Sequence, residues 1–301
     1  MTETVAESKR GTLPAESAGE PGNRKTSGDR AVGTFSHAVL SVWSLLVVLP
    51  MLWTVMSSFK TSQEIFSSPF ALPKHWNFKN YVSAWSTAHI GTYFVNSLIV
   101  VFGGLILTMT FGSMCAYVLA RFPFPGSRIV YYFMLAGLTF PIFLAIVPLF
   151  FILRQLGVLN TLPGLILTYG AFSLPFTVFF MFSFFKSLSN SIAEAAAIDG
   201  AGEWRTFFSI MLPMARPGLS TVAILNFVGL WNQYLLPIAL NTDTRRFVLT
   251  QGLANYNSQA GYSVNFGALF AAVVITVLPV LLVYLIFQRQ LQGSVSQGTN
   301  K

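Results

Sequence analysis

The chain is 301 residues long, 53% hydrophobic and only 9% charged, with a formal net charge of +8, whereas ordinary soluble domains carry about 25% charged residues. That balance excludes a water-soluble globular domain. The six longest stretches without Asp, Glu, Lys or Arg are residues 31–59, 80–120, 129–153, 155–185, 217–242 and 247–288, each longer than the roughly 20 apolar residues that cross a hydrocarbon core. Six transmembrane helices are predicted. The fold class is all-α, because a spanning helix satisfies its own backbone and these runs lack the short alternation of a membrane barrel.

In chain order, residues 1–34 are rich in Thr, Ser, Gly, Glu and Pro and bury too little to offset their ordering entropy, so they read as a disordered tail. The first helix is expected at 37–58. It is too long and too far from the start to be a removable signal segment. The segment 60–90 follows, with Pro69, Pro73, Trp76, Tyr81 and Trp85 suited to an interface. A second helix is expected at 93–120. It holds the single Cys115, which excludes an intramolecular disulfide or a multi-cysteine metal site and suits a small buried apolar side chain. Helices three and four are expected at 129–152 and 163–185.

A loop of about 187–216 then interrupts the apolar runs. Ser191 to Glu194 fits an S/T-x-x-E capping box, Ala195, Ala196 and Ala197 favour continuation, and Gly200 and Gly202 favour a stop. A second short helix, Glu203–Leu212, is expected to carry Trp204, Phe207, Phe208, Met211 and Leu212 toward the membrane interface. The fifth span is expected at 217–240, with Asn226, Trp231, Asn232, Gln233 and Tyr234 at membrane depth, either lining a path or bonding neighbouring helices. A loop at 241–264 and a sixth helix at 266–287 follow, then a C-terminal tail at 292–301. Pro50, Pro141, Pro148, Pro175, Pro237 and Pro279 fall inside spans and predict kinks.

With the N-terminus inside, twelve Lys and Arg fall on the inner side and six on the outer side, which predicts both termini in the cytoplasm. The basic balance therefore reads as membrane topology and calls for no nucleic acid. His37, His75 and His89 lack a second ligand at metal spacing, so no metal is expected. The motifs HExxH, GxSxG and GxxxxGK[ST] are absent, so neither catalysis nor Walker-type phosphate binding is expected, and no cofactor. The spans also lack the ionisable residues by which secondary carriers couple to ions. A transporter built this way takes its driving force from elsewhere or conducts passively.

The loop pattern Glu194-Ala195-Ala196, Asp199-Gly200-Ala201, then Ile210-x-Leu212-Pro213 resembles the cytoplasmic coupling loop of ABC-importer permeases. Residues 90–291 look like the binding-protein-dependent permease core. All of 37–291, within a domain of 35–291, is similar to the smaller, six-helix subunit of carbohydrate importers of the maltose-transporter type. Asn96 and Ser97, the run Ala116 to Arg121, Phe124-Pro125-Gly126, Trp231 to Tyr234, and Gln288-Arg289 support the likeness. The resemblance implies a bacterial inner-membrane permease paired with a second permease, two copies of an ABC ATPase and an extracytoplasmic sugar-binding protein. It implies that Glu194, Ala195, Ala196, Asp199 and Gly200 couple to the ATPase, and that the chain does no chemistry itself. Gln233 stands where the family often has an acid. It suits a neutral sugar, with N-acetylglucosamine or chitobiose as the expected substrate; an amino-acid or peptide permease and a secondary carrier are the alternatives.

Overall fold

In the computed structural model, residues 27–259 and 265–296 are described. Contacts divide the chain into residues 1–51 and residues 52–301. Helix α1, Ser27–Ser57, begins ten residues ahead of the expected start and inside the stretch read as a tail. Residues 1–26 of that expectation lie outside the described residues. Val39, Leu40, Trp43, Leu46 and Leu49 of α1 are all at least half exposed, which suits a helix whose solvent is lipid.

The second unit continues through two short helices, α2 (Ser62–Ser67) and α3 (Lys79–Val82). Thr61 caps α2, accepting from the Glu64 amide while the Glu64 carboxylate accepts from the Thr61 amide. Lys60 is buried, its ammonium donating to the carbonyls of Ser68 (3.1 Å) and Pro69 (2.9 Å). The buried Asn80 amide ties Ser58 and Lys60 carbonyls together at 2.8 and 2.9 Å.

Helix α4, Ile90–Arg121, spans 32 residues, about 48 Å at 1.5 Å per residue. It pairs closely with α7, Leu162–Ser187. The approach depends on small residues: a Cβ on Gly112 would lie 2.6 Å from the Thr177 methyl, and one on Gly104 3.0 Å from the Tyr169 Cβ. Such closeness is how helices gain dispersion contact when water supplies no driving force. Thr108 Oγ1 also donates to the Gly170 carbonyl at 2.8 Å.

The expected third span is not one helix. It divides into α5 (Ser127–Thr139) and α6 (Ile142–Gln155), bent by 108°. Pro141 disfavours helical backbone at the residue before it, and Phe140 is extended with ψ 121°. The proline expected to kink this span interrupts it. Beyond α7 come α8 (Asn190–Ile198), α9 (Glu203–Thr206), a π turn at Phe207–Met211 and α10 (Leu212–Met214).

The expected fifth span is also discontinuous: α11 (Arg216–Trp231) stops, and α12 (Leu235–Leu240) resumes after a three-residue break. Pro237 lacks an amide proton, and its ring excludes the usual helical bond to the carbonyl four residues earlier, that of Gln233. That carbonyl instead accepts from Thr250 Oγ1 at 2.8 Å. Helices α13 (Leu249–Gln259) and α14 (Phe266–Ser296) complete the described chain. The α14 helix runs into the expected C-terminal tail; residues 297–301 lie outside the described residues. Among the described residues, four helices are long and apolar enough to cross a membrane, and the count reaches six if each of two bent pairs, α5 with α6 and Glu203–Met214 with Arg216–Trp231 (76°), is one span.

Two apolar clusters fill the second unit. One gathers Val100, Val101, Tyr169, Phe227, Leu230, Trp231 and Ala271. The other gathers Ala116, Tyr117, Met181, Phe185, Phe207, Met211 and Val222.

Candidate functional site

The loop 187–216 is built from its caps. The cap of α8 is Ser189, two residues before the expected Ser191: its hydroxyl accepts from the Ser191 amide at 3.3 Å, and its backbone is extended. Ser191 is already helical, so Glu194 takes no part in a capping box. At the other end the Gly200 amide donates to Ala197 and the Ala201 amide to Ala196, at 3.1 and 2.9 Å, with Gly200 at φ +74°. Both glycine and this bond pair are the left-handed stop expected after the alanines.

These caps set which face is free. Ala196 is 4% exposed and faces inward, whereas Glu194, Ala195, Asp199 and Gly200 are exposed. Ile198 is 87% exposed, an apolar side chain on the same short helix that the sequence pattern did not single out. Small side chains, two carboxylates and one bare isoleucine therefore share the accessible side of this short segment.

The second short helix divides its aromatic residues. Phe207 and Met211 turn into the cluster around Tyr117 and Phe185, against the expectation that they face the membrane interface. Trp204 and Phe208 stay outside, stacked at 6.0 Å and 10°. The π turn shifts the facing by adding a residue to the helical repeat.

Arg121, which sequence reasoning used only as a topological charge and a mark of family likeness, ties this loop to the bundle. From the last turn of α4 its Nη2 donates to the carbonyls of Phe185 and Leu188, each at 2.8 Å, and its Nη1 donates to Asn190 Oδ1. One guanidinium thus satisfies orphan carbonyls at the end of α7 and holds the first residue of α8. Its partners lie 64 to 69 residues away in sequence, so local pattern carried no signal for them.

The five polar or aromatic residues of the fifth span separate into two groups. Asn226 is buried and donates to Thr177 Oγ1 at 2.7 Å; Trp231 is buried, donates to the Thr276 carbonyl at 3.0 Å and stacks on Phe227. Both bond neighbouring helices. Asn232 is exposed and Tyr234 is 43% exposed, with Gln233 between them, all in the α11–α12 break. Asn232 Nδ2 folds back to the Val228 carbonyl at 2.9 Å. Interrupted helices at membrane depth expose backbone and amides where a cavity can use them.

The family described as "Binding-protein-dependent transport system inner membrane component" matches residues 108–297. The chain belongs to that family. It is 65% identical over 273 residues to the diacetylchitobiose uptake system permease protein NgcG of Streptomyces coelicolor, across 91% of this chain and 90% of that one. It is 30% identical over 254 residues to the trehalose transport system permease protein SugB of Mycobacterium tuberculosis, across 84% and 92% of the two chains. Among solved structures, a bacterial ABC transporter involved in the import of the acidic polysaccharide alginate superposes with a TM-score of 0.78 at 22% identity, covering 88% of this chain and 98% of that chain. At that identity the likeness establishes the fold. The permease is a multi-pass all-α membrane component rather than a catalyst; in such systems it works beside a second permease, a separate ATPase and a binding protein.

Proposed function

We propose that this permease imports a neutral amino-sugar oligosaccharide of the N,N′-diacetylchitobiose class across a bacterial inner membrane, driven by ATP hydrolysis on its partner subunits. The observation that carries the substrate is the 65% identity, over nine-tenths of both chains, to a permease named for diacetylchitobiose uptake. The uncharged break Asn232-Gln233-Tyr234 agrees with it. Amides donate and accept, matching hydroxyl and acetamido groups, and an aromatic ring offers a face to a pyranose.

In this reading both termini are cytoplasmic, and Glu194, Ala195, Asp199, Gly200 and the bare Ile198 enter a cleft on the ATPase, with Ala196 anchoring α8 to the bundle. Nucleotide-driven closure of the ATPase pair then moves α8, and through Arg121 the ends of α4 and α7. The bundle is biased between two states without chemistry of its own. Asn232, Gln233 and Tyr234 line the path, while Asn226 and Trp231 hold its walls.

The test is uptake of radiolabelled N,N′-diacetylchitobiose in cells lacking the chain, complemented with wild type or with Glu194→Arg. Wild type restores uptake, and the variant inserts in the membrane but does not. Unchanged uptake on deletion removes the substrate assignment; full uptake by Glu194→Arg removes the coupling assignment.

A further inference from the structure

Away from the α11–α12 break, a cavity of about 360 Å³ opens between the start of α4 and the turn that precedes α13, lined by His89, Thr92, Tyr93, Thr244, Arg245 and Asn255. On the proposed topology it lies at the outer mouth. The turn carrying Thr244 and Arg245 is held by buried polar side chains. Asn96 Nδ2 donates to the carbonyls of Arg245 (3.1 Å) and Phe247 (3.0 Å), and Asn241 Nδ2 to that of Arg246 (2.7 Å). Ser97 Oγ accepts the Leu249 amide at 2.7 Å, and Gln251 Nε2 donates to the Asn241 carbonyl at 2.6 Å. Asn96, Ser97, Asn241 and Gln251 are all under 9% exposed. Four buried polar residues committed to one turn fix where its side chains stand, which is how a recognition site is preorganised.

The side chains so presented are unspent. Among the described residues, those of His89, Thr92, Tyr93, Thr244 and Asn255 make no hydrogen bond to another protein group. Arg245 is 86% exposed and is held from one side by Asp243, through Nε at 3.2 Å and Nη2 at 3.2 Å. Asp243 is shared: it also pairs with Arg246 Nε at 3.6 Å, while Arg246 Nη1 donates to the Asn160 carbonyl. What remains is a rigid rim of hydroxyls, one imidazole, one amide and an oriented guanidinium, beside the Tyr93 ring backed by Phe247. That set suits a ligand dense in hydroxyl and amide groups.

We infer that this cavity is a second sugar subsite, at the outer rim of the permease, that takes one N-acetylated pyranose unit before it reaches the membrane path. The inference rests on the substrate class proposed above. The buried Tyr93 closes the floor of the cavity, and Thr244, Asn255 and Arg245 reach the hydroxyl and acetamido groups of the sugar.

The test uses the complete importer in lipid nanodiscs without its binding protein, and saturation-transfer NMR with N,N′-diacetylchitobiose as probe. Thr244→Ala and Asn255→Ala remove side chains that bond to no other protein group, so the fold is spared. Wild type should show transfer to the sugar, and the double variant an affinity lower by about tenfold, two hydrogen bonds' worth. Docking of the sugar-loaded binding protein, measured in parallel, should stay unchanged. An absence of transfer in wild type, equal transfer in the double variant, or a loss confined to docking overturns the subsite. If wild type transports the sugar with its binding protein, those results leave the substrate proposal standing; if it does not transport it, both proposals fall.

Discussion

Replacing Arg121 by Ala removes the one side chain that bonds both the end of α7 and the start of α8. Three charge-assisted bonds are lost, to Phe185, Leu188 and Asn190. Hydrogen bonds to charged groups contribute about 1.5–3 kcal/mol each, but Arg121 is only partly buried and water replaces part of the loss. The Phe185 carbonyl also keeps the Leu188 amide at 3.3 Å. A net weakening of about 2–4 kcal/mol at this junction is therefore expected, enough to free α8 from the bundle by one to three orders of magnitude. In proteoliposomes holding the complete importer, sugar moved per ATP hydrolysed should fall at least about tenfold while ATP hydrolysis persists. Arg121→Lys should restore part of it, because an ammonium reaches one or two carbonyls but cannot hold the planar fork. A variant with the wild-type ratio of sugar to ATP, even if both rates drop, would refute the idea that this guanidinium transmits motion.

Gly200→Trp should insert normally yet fail to co-purify with the ATPase, since φ +74° strains any side chain by about 1 kcal/mol and the indole fills the accessible face. Asn226→Leu should lower thermal stability in detergent by about 0.6–2 kcal/mol through loss of the Thr177 bond, leaving substrate preference unchanged; Tyr234→Ala should do the reverse. Lys60→Met should destabilise the 58–81 segment by about 1–3 kcal/mol, seen as faster amide exchange there, because the Ser68 and Pro69 carbonyls lose the charged donor and keep only the Ala71 amide (3.3 Å) and the Trp53 indole (2.8 Å). The Thr61 amide, then the other capping contacts, hold the exposed Glu64 carboxyl below its ordinary range. Its contribution is thus present above the unfolded value and is lost as pH falls through the lowered folded one, so Glu64→Gln should remove an acid-range step in protection of α2.

The helices on the membrane side were legible because a charge-free run of sufficient length has one solution in lipid. The stop at Gly200 was legible for a local reason, the left-handed backbone after an alanine run. The start was misplaced: an S-x-x-E template favours Ser191, while the extended backbone at Ser189 is set by Arg121 holding Leu188 and Asn190 from another helix. Likewise Pro141 and Pro237 announced irregularity, but neither a 108° bend nor the handover of the Gln233 carbonyl to Thr250 can be read from one strand of sequence. Amides at membrane depth pose the same demand whether they line or pack, and only the placement of Thr177 beside Asn226 separates those uses.

The α4–α7 pair runs unbroken through both apolar clusters, seated at glycine-sized spacing, while α5–α6 and α11–α12 are each interrupted. The second unit therefore combines one stiff spar with two jointed struts. On the proposed coupling, a push delivered at the spar's end would travel its full length as tilt rather than dissipate in side-chain rearrangement, and the joints would be where the remaining bundle yields to it.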